Sequence, residues 1–127
     1  MMKVFVRCLL AVGMHHHGQQ QLTIDEPLYL KHEPTNKYDK NAIAIYNMND
    51  RKVAYLSRQD ASCVATLLRQ EIPEDMKIFA KAKYPAETRS QRQGPSQRIG
   101  LGFRSDKAHV EKIKEIFSFT GASIETI

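Results

Sequence analysis

The stretch Glu33-Pro34-Thr35-Asn36-Lys37-Tyr38-Asp39-Lys40-Asn41-Ala42-Ile43-Ala44-Ile45 decides how the chain folds. Its first half is built of turn-formers and charge, and its second half alternates into Ile43 and Ile45, so it reads as a strand leaving a tight polar corner. Pro34 fixes its own φ and biases the preceding His32-Glu33 towards extended geometry. Asn36, Asp39 and Asn41 each carry a short polar side chain able to bond nearby backbone and hold an irregular loop. Tyr38 is then a large ring displayed beside a carboxylate. Taken blandly, the segment is a hairpin connection.

Working outwards, residues 28–32 form a strand entered through Pro27, and 41–46 form the next. Residues 47–50 (Asn-Met-Asn-Asp) turn the chain into a strand over 52–56. Ahead of these, Val4, Val6 and Leu10, with Phe5 and Leu9 between them, predict a buried strand over 3–12 ended by Gly13. The polar segment from His15 to Gln21 reads as a loop. Ser57 reads as an N-cap, with Asp60 three residues on as a variant capping box. Ala61, Val64, Ala65 and Leu68 then mark one face of a helix reaching residue 70, and Pro73 stops it. Residues 76–84 alternate apolar Ile78, Ala80 and Ala82 with basic Lys77, Lys81 and Lys83, a half-exposed strand with a positive face. Residues 85–97, rich in Ser, Gln, Arg, Gly and Pro, read as a mobile loop. A last strand is expected over 99–103. Ser105 is the expected cap of a second helix through Phe117, with Val110, Ile113 and Phe117 on its apolar side. There is no internal repeat.

Six short strands with a helix between the fourth and fifth predict a mainly β, α+β fold. Its form is a small, strongly bent antiparallel sheet or part-open barrel with one packed helix and a C-terminal helix. The expected core is Leu10, Leu30, Ile43, Ile45, Val53, Leu56, Val64, Leu68 and Ile78. At 127 residues the chain is expected to form one domain over 1–127, with its core at 3–103 and a helical extension at 105–120. It is 42% hydrophobic with no long apolar run, which argues against a membrane span. A net charge of +5 biases the chain towards anionic partners. The stretch from Met1 to Met14 has no cleavage-like end, so the expected location is cytoplasmic in a bacterium and otherwise nuclear, not secreted. Cys8 and Cys63 sit among apolar neighbours in sequence and read as reduced core thiols.

Several chemistries fit poorly. Two-metal hydrolysis needs carboxylates converging on one place, whereas Asp25, Glu26, Glu33, Asp39, Asp50, Asp60, Glu71, Glu74 and Asp75 are scattered over turns and caps. No phosphate-binding glycine loop is present, so any motor activity belongs to another chain. His15, His16, His17 and His32 lack the closing Cys pair of a structural zinc site, so no metal and no cofactor is expected. Cys63 has no His at a catalytic spacing. Nucleic acid fits better. Single-strand binders combine cations with rings for stacking. The chain offers Tyr38, Tyr55 and Tyr84 as rings, and Arg58, Lys37, Lys40, Lys81, Lys83, Arg89, Arg92 and Arg98 as cations.

The order Glu-Pro-x-Asn-x-Tyr-Asp-x-Asn-Ala-Ile-x-Ile over 33–45, followed by Val53-Ala-Tyr-Leu-Ser-Arg58, resembles the HIRAN domain. The resemblance is densest over 28–68 and extends more weakly back to Val12-Gly13 and forward to Phe103. It implies an oligonucleotide/oligosaccharide-binding type of barrel. It also implies a non-enzymatic domain that grips the free 3′ end of single-stranded DNA, acting beside a helicase or repair enzyme on another chain. Carried over by motif position, Asn36, Tyr38 and Asp39 form the pocket. Asp39 would accept a hydrogen bond from the terminal 3′-hydroxyl and Tyr38 would pack on the last nucleotide, while Arg58 suits a backbone phosphate. His15-His16 stand where the family pattern has Arg-Tyr, and Tyr55 stands where it has His. The stacking ring before the family's last strand has no counterpart within 87–96. The alternative is a protein-interaction or structural module whose Tyr-Asp corner only shapes the hairpin.

Overall fold

The computed structural model of the chain describes residues 2–70, 78–90 and 94–127. Among these, eight strands and two α-helices follow in the order β1 (Met2–Val12), β2 (Leu28–His32), β3 (Ile43–Asn47), β4 (Lys52–Leu56), α1 (Arg58–Gln70), β5 (Phe79–Ala82), β6 (Glu87–Ser90), β7 (Gly94–Ser105), α2 (Lys107–Ile116) and β8 (Ser123–Thr126). A single 3-10 turn, Met14–His17, lies between β1 and β2. All strand pairings in the sheet are antiparallel, in the order β6-β7-β5-β2-β3-β4-β1-β8. Because β7 also pairs with β1, the strands β1, β4, β3, β2, β5 and β7 close into a six-stranded barrel of the expected oligonucleotide-binding type. It is fully closed rather than part-open. Closure comes from β7, which runs from Gly94 to Ser105, where sequence pattern supports a strand only over 99–103.

Ile43 and Ile45 are 0% exposed at the centre of the core, with Leu30, Val53, Leu56, Val64 and Ile78 around them. Each such side chain contributes about 1.5–3 kcal/mol by leaving water. Two expected core residues are displaced by one position. In β1 the pairing with β7 slips between Val6 and Leu9, and Cys8 takes φ 67°. This bulge reverses the alternation, so Leu9 is fully buried while Leu10 is half-exposed. Cys8 is thereby turned out to the surface and is not a core thiol. In α1, Leu67 is buried and Leu68 only partly so. Asp60 lies on the same buried line as Val64 and Leu67, its Oδ2 accepting from the Leu10 N–H at 2.9 Å.

The start of α1 is capped as its sequence suggests: Ser57 Oγ accepts from the Asp60 N–H at 3.5 Å and donates to Asp60 Oδ2 at 2.9 Å. The Pro73 stop lies outside the described residues, as do Met76 and Lys77 of the expected fifth strand. Residues 85–97 are not simply a loop, because β6 and the start of β7 pair across them, Thr88 opposite Pro95. Gln97 is 1% exposed there and acts as a strut. Its amide accepts from the Leu22 N–H at 2.6 Å and donates to the Leu22 and Tyr84 carbonyls at 3.2 and 2.8 Å. The second helix is capped one residue later than expected, at Asp106; Ser105 is buried as the last residue of β7. Past that helix the chain does not end in helical structure. It returns to the sheet as β8, pairing with β1 at Val4↔Thr126. Among the described residues no helix is long and apolar enough to cross a membrane.

Candidate functional site

Three backbone hydrogen bonds shape the 33–42 corner between β2 and β3: Glu33 N–H to the Ala42 carbonyl, Asn36 N–H to the Glu33 carbonyl, and Ala42 N–H to the Asp39 carbonyl. Asn36 organises its centre. Its Oδ1 accepts from the backbone N–H groups of Tyr38 (2.9 Å) and Asp39 (3.1 Å), and its Nδ2 donates to Glu33 Oε1 at 3.0 Å. This is the Asx geometry the sequence calls for. Asp39 Oδ1 accepts from the Asn41 N–H at 2.9 Å, leaving Oδ2 directed towards Arg58, whose Nε stands 3.9 Å away. The Asp39 side chain is 21% exposed and that of Arg58 80% exposed, so the pair is loose and screened. Tyr38 is 82% exposed, a ring held up by its backbone rather than packed on the protein.

Glu33 is the hub beneath. Lys52 Nζ sits 2.6 Å from Glu33 Oε2, the Tyr55 hydroxyl donates to Glu33 Oε1 at 2.9 Å, and Lys52 Nζ donates to the Tyr55 oxygen at 2.8 Å. Burial works to raise the Glu33 carboxyl. Hydrogen bonds from Lys52, Asn36 and Tyr55, with the Lys52 charge, outweigh it and hold the group below the usual carboxylate range. The Lys52 ammonium is correspondingly held above its ordinary value, chiefly by the Glu33 hydrogen bond. Lys52 and Tyr55 would face opposite ways in a regular strand. The register slips between Ile45 and Tyr46 of β3, however, and β4 buries both Val53 and Ala54, so both polar residues emerge on one side.

The 3-10 turn Met14–His17 lies against β4 and β7. It delivers His17, not His15 or His16, to Tyr55, with ring centroids 6.3 Å apart. Burial, then the charges of Lys52 and His16, push the His17 pKa down. His15 and His16 lie with ring centroids 3.9 Å apart. The His15 ring occupies the space a Cβ on Gly94 would need, and Gly94 has φ +68°, so position 94 requires glycine on two counts.

Thus Asn36, Tyr38, Asp39, Tyr55 and Arg58 form one connected constellation, while His15 and His16 join it only through their turn. Glu33, Lys52 and His17 were not singled out from sequence as site residues. Glu33 opens the quoted motif and could have been chosen; Lys52 depends on a bulge that pattern cannot show. Of the other cations, Arg92 and the Arg89 side chain lie outside the described residues. Among the described residues no three His, Cys, Asp or Glu side chains gather as a metal site. The arrangement offers an exposed ring, an acceptor-only carboxylate and a guanidinium, which suits holding a ligand end that both donates and carries charge.

The fold is shared with known proteins. The chain is similar to the crystal structure of the HIRAN domain of human HLTF, with TM-score 0.70 at 18% identity, covering 94% of this chain and 93% of that one. The same HLTF domain in its DNA-bound conformation matches with TM-score 0.59 at 17% identity, over 88% and 89% of the two chains. A Lactobacillus plantarum protein matches with TM-score 0.55 at 18% identity, over 80% and 97%. In sequence, the helicase-like transcription factors of Mus musculus and Oryctolagus cuniculus are each 36% identical over 50 residues, 39% of this chain. The match spans only 5% of the length of those relatives. The family model for the HIRAN domain matches residues 8–109. With the Asn-x-Tyr-Asp corner, the closed barrel around it and a match reaching from the bulge of β1 into α2, this chain belongs to the HIRAN domain family.

Proposed function

We propose that the chain is a non-enzymatic domain that binds single-stranded DNA at its free 3′-hydroxyl end. The observation that carries this reading is the Asn36-tied corner, which presents the Tyr38 ring and the Asp39 carboxylate side by side with Arg58 within 4 Å. Asp39 accepts a hydrogen bond from the terminal hydroxyl, Tyr38 stacks on the last base, and Arg58 takes a backbone phosphate. Tyr55 and His17 form the wall beneath. His15 and His16 act as a pair on the adjoining turn, contributing a polar, ring-faced border. The family tie, together with a relative known in a DNA-bound conformation, supports DNA as the ligand. A helicase or repair enzyme on another chain is the natural partner, since the sequence holds no nucleotide-hydrolysis motif of its own.

Fluorescence anisotropy with short strands ending in 3′-hydroxyl or 3′-phosphate tests the reading. A 3′-phosphate removes the donor and sets negative charge against Asp39, so binding should weaken at least about tenfold, or ~1.4 kcal/mol. Asp39→Asn should largely abolish the difference, and Tyr38→Ala should weaken both ligands together. Equal competition by 5′ ends, 3′-phosphates and internal single strands would overturn the 3′-end reading. A second reading has its own support: Asp39 already accepts from Asn41, and Glu33 is satisfied by three donors. The corner would then be scaffolding in a protein-interaction module, and no oligonucleotide would bind.

A further inference from the structure

A groove of about 590 Å³ crosses the outside of the barrel over β5, β7 and β1, away from the 33–42 corner. Its floor is Gly100 and Gly102. Neither glycine has a positive φ, and a Cβ at either would meet its nearest neighbour at an ordinary 3.6–3.7 Å. The backbone thus does not require glycine at these positions; the missing side chains open the groove. Phe5 and Phe79 pair with Gly102 from opposite sides, so two rings wall the glycine between them. Arg7, Lys81, Lys83 and Arg98 edge the groove, with Tyr84 at one end and, among the described residues, no acidic side chain in the lining. Arg7 is occupied by Glu125 at 2.9 Å and Lys83 by Asp25 at 2.5 Å. Lys81 and Arg98 carry no ion pair among the described residues.

The groove also leads somewhere. A smaller hollow of about 190 Å³ shares Tyr84 and Arg98 with it and continues past Leu10 and Ser96, with the acidic Glu87 in its lining. The next position on that side of β7 is Gly94, on which His15 rests. From Gly102 to Gly94 is eight strand residues, about 26 Å at ~3.3 Å each.

We propose that this groove is the track of the single strand behind its 3′ end: bases lie between Phe5 and Phe79 over Gly102, and phosphates sit on Lys81 and Arg98. The inference rests on the reading of a single-stranded nucleic-acid ligand. Two rings flanking a glycine, with cations outside any ion pair among the described residues at their edge, match a planar base carrying an anionic backbone, and a path of this length suits the 4–16 nucleotides such barrels cover.

The test uses the full chain and deoxythymidine strands of three and twelve nucleotides, each with a 3′-hydroxyl. The wild type should bind the longer strand about tenfold more tightly. The double variant Lys81→Ala/Arg98→Ala should lower the log–log salt slope for the longer strand by about 1.4, two contacts at ~0.7 each. Phe79→Ala, and separately Gly102→Val with all cations intact, should remove the length advantage. None of these variants should change the affinity of the three-nucleotide strand or its preference for a 3′-hydroxyl. Unchanged binding of the longer strand in all variants, or capture of an acidic aromatic peptide in its place, would overturn the groove. If the three-nucleotide strand shows no 3′-hydroxyl preference while the variants still weaken the longer one, the groove stands and the end pocket falls.

Discussion

The 33–42 corner and the β5–β7–β1 groove are built on opposite plans. The corner is one contiguous segment whose own side chains hydrogen-bond its own backbone, with Glu33, Lys52 and Tyr55 bracing it from below. The groove is the meeting of three strands distant in sequence, and its shape depends on what two glycines lack. A corner of that kind is held by the bonds of Asn36, Asp39 and Glu33, and it loosens when one of them is removed. A groove of that kind is tolerant, because nothing in the fold depends on its contents.

The largest expected effect sets these two plans against each other. Glu33→Ala leaves the Lys52 ammonium and the Tyr55 hydroxyl half-buried without their acceptor, which should lower unfolding stability by about 2–3 kcal/mol. Gly102→Ala, whose Cβ would meet the Phe5 ring at an ordinary 3.6 Å, should change it by less than about 0.5 kcal/mol. Urea denaturation of the two variants measures both, and similar losses would erase the distinction. Next comes Cys8, which the β1 bulge exposes on the groove, whereas Cys63 donates to the Ile116 carbonyl at 3.3 Å. Burial, with the Asp60 charge, also pushes the Cys63 thiol up in pKa. A bulky maleimide should therefore label Cys8 first, and the labelled protein should lose roughly tenfold for a twelve-nucleotide strand, ~1.4 kcal/mol, while its 3′-hydroxyl preference is unchanged. Loss of that preference on labelling would mean that the two regions are one site.

Smaller still, Arg58→Ala should remove about one phosphate contact, flattening the log–log salt slope for a three-nucleotide strand by ~0.7. The same slope after Lys81→Ala should be unaltered, since that lysine lies on the groove. The smallest effect is in pH. His17 has its folded pKa below the unfolded value of ~6.5, so the folded state binds fewer protons. Its contribution is complete above that value and is lost as pH falls through the folded pKa. Glu33 follows the same sign lower down, its contribution lost as pH falls below ~4.3. Stability followed by thermal melting should decline in these two steps on acidification, and His17→Phe should remove the first alone.

Much of the corner could be read in advance because its geometry is local. Asn36 two residues before Tyr38 and three before Asp39 is an Asx turn written in adjacent letters. Ile43 and Ile45 likewise declare their strand by alternation. Reading fails wherever a bulge resets the alternation. Leu9 replaces Leu10 in the core, Cys8 turns out, and Lys52 joins Tyr55, each because one extra residue was spliced into a strand. The β6–β7 hairpin escaped notice because Ser, Gln, Arg, Gly and Pro look like loop until long-range pairing recruits them. Pro95 is tolerated there, and buried, opposite Thr88 of the edge strand β6. The groove was visible only in part. Lys81, Lys83, Arg98 and Tyr84 stand out as cations and a ring in sequence, but their convergence on Gly100 and Gly102 is a matter of strand register.

The seam between β1 and β7, from Met2↔Ser105 to Val12↔Ser96, sets a timetable for folding. The strands β2, β3 and β4 are neighbours in sequence, joined by the 33–42 corner and the turn at 48–51, and can pair as a meander early, bringing the corner with them. The seam must close a loop of nearly the whole barrel, which is the slow step in a fold dominated by distant contacts. Until it does, β1 and β7 are open edges able to pair with other chains. The groove straddles this seam and comes into being only when the seam closes. Refolding should therefore show tyrosine signals from Tyr38 and Tyr55 settling before Cys63 becomes protected, and the gap between those phases is the interval in which the chain is most prone to aggregate.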